Sequence, residues 1–395
     1  MSDEHEATAR TAVPLWRDVR VLAIVFQAVV LVAVLGSIAF LANNAITTMD
    51  ARGFLPTLDF LGVRAGFDIA DPIVTYSARD TNARALAVGL LATLLVSFVG
   101  IIIATLVGLI VGIARLSRNW LVSRLALGYV ELFRNTPLLL QLIVIYFVVF
   151  LQLPGAQESI SLPGSIHVSK SGLEMPRPMV TDTTLVWLAS IGAAAIVALV
   201  LWTAAGRREA QGLPPFRLRP LAVVVLVAVP MLGWFLLAQA PLAFEDPELG
   251  RFVFSGGLTF SAEFSALTVG LGLYTAAFVA EIIRGAIESV SKGQVEAARA
   301  IGLKEGETLR LVILPQALRV IIPPLTSQYL SLIKNSSLAF VIGFQDVFSV
   351  SKTITTQTGQ TVSVLAVVML FYLTINLITS ALMNVYNSRV QIKER

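Results

Sequence analysis

An all-α integral membrane protein of about eight transmembrane helices is the fold class this sequence predicts, on three observations. Of 395 residues, 56% are hydrophobic and only 14% charged, where a soluble domain carries roughly 25% charged residues. Several apolar runs approach the ~20 residues that carry a helix across ~30 Å of hydrocarbon. The basic residues cluster in alternate loops between those runs. Lipid offers the backbone no hydrogen-bond partners, so each run must satisfy its own amides as a helix.

The first span, 21–41, follows a segment of mixed charge, 1–20. Its apolar run is longer than that of a cleaved leader, so it is expected to stay as a span or signal anchor. The loop 43–85 sets Phe54, Phe60 and Phe67 among Asp59, Asp68 and Asp71. That composition fits a surface-hugging segment or an ordinary ordered loop. Spans follow at 86–114 and 128–151, the latter read as one continuous helix. The loop 152–183 is rich in Pro, Gly and Ser and reads as flexible. A helix pair at 184–204 and 221–240 precedes spans at 264–286, 320–343 and 362–386. No repeat of 20–50 residues is evident.

Lys and Arg set the orientation. Eighteen fall before the first span, after the second, between the fourth and fifth, between the sixth and seventh, and after the last. Eight fall in the opposite loops: Arg52, Arg64, Arg79, Arg84, Lys170, Arg177, Arg251 and Lys352. Both termini and the loop 287–319 are therefore expected in the cytoplasm. The same asymmetry explains the pI of about 9.5 without nucleic acid, since these cations face anionic headgroups. Cysteine is absent, and His5 and His167 are the two histidines, which leaves little for a metal site. The dipeptide Gly-Lys never occurs, so no phosphate loop of the G-x-x-x-x-G-K-[ST] type is present. No serine–histidine cluster supports a hydrolase.

The loop 287–319 carries the most specific pattern: Glu296-Ala297-Ala298, three residues, Gly302, nine residues, then Val312-Ile313-Leu314-Pro315. Ser291 and Gln294 fit a capping box opening a short helix, with Val295, Ala298 and Ile301 expected on one face. Gly302 suits a left-handed stop. Residues 305–314 form a second short helix, whose continuation Pro315 is expected to limit. Ala297 and Ala298 lack bulk and permit close approach by another protein, with Glu296 and Arg299 as charges at the rim. On spacing alone, an ordinary loop with short helices fits equally well.

Charge within a span costs at least about 2.5–3.5 kcal/mol, so Lys334 stands out. Asn335, Ser336 and Ser337 follow it, a set able to receive a carboxylate; pairing of Lys334 with a buried acid or a partner subunit is the competing reading. Gln141 and Gln328 fit a polar pathway or interhelix hydrogen bonds. Glu131 with Arg134, and Glu281 with Arg284, have the i,i+3 spacing of structural pairs, the second as a brace beneath the hairpin. Gly108-x-x-x-Gly112 is a small-residue packing motif, by itself weak evidence for dimerisation.

The hairpin pattern resembles the EAA loop of ATP-binding-cassette importer permeases, with Val312 replacing an isoleucine. Three further blocks resemble polar and general L-amino-acid permeases: 131–142, 274–284 and 332–338. The resemblance runs from about residue 86 to 386, interrupted by the inserted pair. It implies a type I importer permease core at 86–386 with inserted spans at about 184–240. A first span and outer loop (1–85) and a cytoplasmic tail (387–395) would be additional. It implies docking of Glu296, Ala297, Ala298, Arg299, Gly302 and Pro315 against a separate ATPase, which holds ATP and Mg while this chain binds no cofactor. It implies a second, paralogous permease, an ATPase dimer, a periplasmic amino-acid-binding protein and an inner-membrane location. An ion-coupled secondary transporter is the alternative, though paired halves are not seen; an assembly protein without a pathway is a third class.

Overall fold

The computed structural model describes residues 19–51, 57–70, 72–211, 217–237, 239–251 and 253–390. Arg10, Arg17, Arg52, Phe54, Asp71 and the tail 391–395 lie outside them. Among the described residues seven helices are long and apolar enough to cross a membrane, and one bent pair makes an eighth. The chain runs through α1 (Val19–Ala51), α2 (Asn82–Arg115), α3 (Trp120–Asn135) and α4 (Leu138–Ile143). Four strands follow: β1 (Ile160–Leu162), β2 (Ile166–Ser169), β3 (Gly172–Met175) and β4 (Arg177–Val180). Helices α5 (Thr184–Ala210) and α6 (Leu218–Leu236) follow as a pair. Strands β5 (Leu242–Glu245), β6 (Glu248–Leu249), β7 (Phe254–Ser255) and β8 (Leu258–Ser261) lead into α7 (Ala262–Glu288). The rest comprises α8 (Lys292–Ala300), α9 (Glu305–Thr308), α10 (Leu314–Asn335), α11 (Val347–Thr358) and α12 (Thr361–Val390).

The expected eight spans are therefore present, with three corrections. The third is not one straight helix. Thr136 is extended and Pro137 follows it, so the chain cannot stay helical there. Residues Trp120–Asn135 and Leu138–Gln152 meet at 107°. The stretch 152–183 is not a flexible loop. Strands β1, β2, β3 and β8 make an antiparallel sheet, and β4 pairs with β5. Gly172, with φ of +128°, lets β3 cross β8 where a β-carbon would sit 2.0 Å from the Phe260 carbonyl oxygen. The loop 43–85 is shorter than expected, since α1 runs to Ala51 and α2 starts at Asn82. Its described residues, 57–70 and 72–81, are ordered, with Phe60 buried and its carbonyl bonded by the Asn82 side chain at 2.9 Å.

The core sits where α2 crosses α7. Gly108 and Gly112 line that seam within the chain. A β-carbon at Gly108 would lie 2.6 Å from Val279 Cγ1, and one at Gly112 3.0 Å from the Ala280 carbonyl oxygen. Helix α10 joins them: Leu332 packs on Gly100, and the Thr105 and Tyr329 hydroxyls meet at 2.6 Å. Helices α5 and α6 pack on each other, Trp187 donating to the Pro230 carbonyl at 3.0 Å. Its base is closed by Thr181 and Thr183 hydroxyls bonded to the carbonyls of Ala240, Pro241 and Gln239.

Candidate functional site

The hairpin between α7 and α10 is an elbow held by caps at its turns. The Ser291 hydroxyl accepts from the Gln294 amide at 3.4 Å, which opens α8. At the other end the Leu303 amide donates to the Ala298 carbonyl and the Gly302 amide to the Arg299 carbonyl. These two bonds make a Schellman stop, and Gly302 takes φ of +87° as that stop requires. The Lys304 amide donates to the Glu307 carboxylate at 3.0 Å, which starts α9.

Helix α9 does not end at Pro315. A π-helical turn, Leu309–Ile313, carries it straight into α10, with Pro315 in the first turn of that helix. The π-helical turn just before Pro315 accommodates the bond its missing amide cannot make, so the expected interruption does not occur. Ala298 is buried inside the elbow at 4% exposure, whereas Glu296, Ala297 and Arg299 are on its outer surface. Ile301 is not on the inner face with Val295 and Ala298; it closes α8 and stands 79% exposed. Glu305 ties the elbow to the loop after α2 through Arg118 at 3.2 Å and takes Arg299 at 3.8 Å. Both pairs are solvent-exposed, so each contributes at most about 1 kcal/mol.

Above the elbow, Glu281 on α7 accepts from Arg284 Nε at 3.0 Å and faces Arg115 of α2 at 3.6 Å. Arg284 also bonds Glu288. The expected Glu281–Arg284 pair is thus present. The expected Glu131–Arg134 pair is not: Glu131 accepts from Asn135 at 2.6 Å, and Arg134 lies over the Phe278 ring at 5.3 Å. The aromatic face on α7 competes for the guanidinium.

The five polar pathway candidates are dispersed. Lys334 is exposed at the level where Leu332 meets Gly100 near the middle of α2. It opens on a cavity of about 350 Å³ with Ser337, Phe348, Met369 and Tyr372. Asn335 is half-buried, and Ser336 is buried with its hydroxyl on the Ile333 carbonyl. The Gln141 amide group donates to the Phe133 and Thr136 carbonyls, so it stitches the α3–α4 bend. Gln328 is half-buried on α10.

Sequence reasoning missed a second cleft of about 470 Å³ between α10 and α12, lined by Pro323, Thr326, Ser327, Leu330, Ser380 and Asn384. Its signal was legible: residues 323, 326, 330 and 334 share one helical face. It also missed Asp346, fully buried at the start of α11, where its carboxylate accepts from the Ser349 amide at 2.8 Å. Burial pushes that carboxyl up to about 6.

Comparison with known proteins fits this arrangement. Residues 210–392 match the family described as binding-protein-dependent transport system inner membrane component. The general L-amino acid transport system permease protein AapQ of Rhizobium johnstonii is 41% identical over 96% of this chain and 94% of its own length. The putative amino-acid ABC transporter permease YhdX of Escherichia coli is 42% identical over 94% of both. BztB of Rhodobacter capsulatus, a glutamate/glutamine/aspartate/asparagine transport system permease, is 39% identical over 100% of this chain and 99% of its own length. A solved amino acid ABC transporter with histidines aligns at TM-score 0.47 and 21% identity over 78% of this chain and 94% of that one. A multi-pass helical chain with a structured elbow between two spans, matched along nearly its whole length by these permeases, belongs to their family, the ABC-transporter permeases.

Proposed function

We propose that this chain is the membrane-spanning subunit of an ATP-driven amino-acid importer. It would form the translocation pathway with a second, paralogous permease. A separate ATPase dimer, holding ATP and Mg, would dock on the elbow, and a periplasmic amino-acid-binding protein would deliver substrate. The chain itself binds no nucleotide and catalyses no reaction. Both termini and the elbow would face the cytoplasm of a bacterial inner membrane, a reading the Lys and Arg asymmetry supports.

The observation that carries this reading is the elbow's attachment. It is capped at both ends and runs through an unbroken π-helical turn into α10. A push on its outer face therefore moves a span rather than bending a loop. Glu296, Ala297, Arg299 and Gly302 form the contact face, Ala298 packs beneath them, and Pro315 starts the driven helix. Closure of the ATPase pair draws two such elbows together and opens the spans outward; hydrolysis resets them.

Lys334 is the pathway residue with most support, since an exposed ammonium at mid-depth must face a partner or a wet channel. Asn335, Gln328 and the cleft between α10 and α12 extend that surface; Ser336 and Gln141 hold its shape. Uptake of labelled amino acids into proteoliposomes, with and without the ATPase subunits, tests the proposal. Uptake is expected only with ATPase and ATP; uptake driven by an ion gradient alone would favour a secondary transporter.

A further inference from the structure

Lys334 opens on a cavity of about 350 Å³ where α10, α11 and α12 come together. Ser337, Phe348, Leu365, Met369 and Tyr372 form walls, and no carboxylate is among the described residues that line it. The lysine is exposed and makes no ion pair among the described residues. The acids of α7 and at the start of α11 are already engaged. Asp346 accepts from the Ser349 amide at 2.8 Å, Glu263 from the Tyr146 hydroxyl at 2.5 Å and Glu281 from Arg284 Nε at 3.0 Å. Arg284 also holds Glu288. A charge within a span is costly unless something neutralises it.

A second cation borders the same walls. Lys352 of α11 is exposed, has no acid partner among the described residues, and lies 5.1 Å from the centre of the Phe340 ring. Phe340 packs on Phe348 at 5.8 Å between ring centres. Phe348 is a wall of the cavity, so the two lysines flank one aromatic pair.

The remaining groups suit the rest of an amino acid. The Ser337 hydroxyl already donates to the Lys334 carbonyl at 2.8 Å, so what it offers the cavity is an acceptor. The ring faces of Phe348 and Tyr372 attract an ammonium. Charge then ranks the side chains. A neutral amino acid, with one carboxylate and one ammonium, leaves the cavity as positive as before. A second carboxylate neutralises it, whereas a basic side chain adds a further cation where water is scarce.

We infer that this cavity is a carboxylate-receiving site that ranks amino acids by side-chain charge, acidic above neutral above basic. Lys334 is the receptor, and Lys352 draws anions toward it. This rests on the importer reading above and adds the substrate class.

The test is binding of labelled L-glutamate, L-glutamine and L-arginine to the solubilised permease–ATPase complex. The binding protein is left out so that the membrane site alone is read. Glutamate is expected to bind about tenfold more tightly than glutamine, and arginine more weakly than either. Lys334→Gln should bring glutamate down to the level of glutamine, and Lys334→Arg should keep the ranking. Lys352→Gln should lower glutamate affinity severalfold and flatten its salt dependence. Equal binding of the three, or a glutamate preference that survives Lys334→Gln, overturns the charge ranking alone. So does the absence of all binding in a complex that imports these amino acids once the binding protein is added. Loss of the second permease from the Lys334→Gln complex assigns the lysine to a partner's acid and overturns the site. Uptake on an ion gradient without the ATPase overturns the importer reading, whatever the ranking.

Discussion

Substituting Gly108 by Ala tests the close packing of α2 against α7. The new β-carbon would lie 2.6 Å from Val279 Cγ1, 2.7 Å from its Cβ and 3.0 Å from the Ala276 carbonyl oxygen. Carbon–carbon contacts are comfortable at about 3.5–4.0 Å, so α2 and α7 must part locally by roughly 1 Å. Val279 cannot turn aside, because a β-branched residue in a helix has essentially one rotamer. Overpacking of this kind costs about 1–3 kcal/mol. Against it stands the gain of about 1 kcal/mol from replacing a helical glycine. Gly192→Ala in α5 is the control, since nothing lies within 4 Å of its β-carbon; it gains propensity without collision. Denaturant midpoints in mild detergent should place Gly108→Ala below Gly192→Ala by about 2 kcal/mol. Val279→Ala should relieve Gly108→Ala, giving a coupling of roughly 1–3 kcal/mol in the double-mutant cycle. Equal behaviour of the two glycine variants, with no coupling to Val279, would refute the close-packed seam.

Other expectations concern the elbow, the outer turn and the pathway. Glu296→Lys, on the exposed face of α8, should abolish coupling of ATP hydrolysis to uptake while leaving the fold intact, checked by assaying both on one preparation. Ala298→Leu should destabilise the elbow by about 1–3 kcal/mol, because the site is full; faster proteolysis between α8 and α9 would register it. Asp346 binds its proton more tightly when folded, with its carboxyl near 6 against a reference of 3.8. Its contribution is therefore greatest below the unfolded value and lost as pH rises through about 6. The stability of the parent chain should rise between pH 7.5 and 5 relative to Asp346→Asn, by about 1.4 kcal/mol. Lys334→Met should stop uptake while the subunits still purify together; loss of assembly instead would assign Lys334 to a partner's acid.

The sequence carried the spans, the elbow and its Gly302 stop because each rests on local rules: apolar length, cap chemistry and a residue tolerant of positive φ. What it concealed depends on competition or on distance. Pro137 breaks the third span and Pro315 does not break the seventh, since the first follows an extended Thr136 and the second sits in a first turn after a π-helical stretch. Arg134 chose Phe278 over Glu131, a preference set by which helix lies opposite. The strands between α4 and α7 are short, and β3 pairs with a segment more than 80 residues away; a Pro- and Gly-rich stretch gives no sign of such a partner. Ala298 was legible as a small residue, yet its smallness serves the elbow's interior while Ala297 offers the outer surface.

The most direct test of force entering through the elbow uses the single thiol of Ala297→Cys in the assembled transporter. A short crosslinker should join that thiol to the ATPase subunit, with uptake lost and the unreacted thiol shielded from a water-soluble maleimide. A thiol that reacts as fast in the complex as in the isolated chain, with no ATPase adduct and uptake unaffected, would contradict the account.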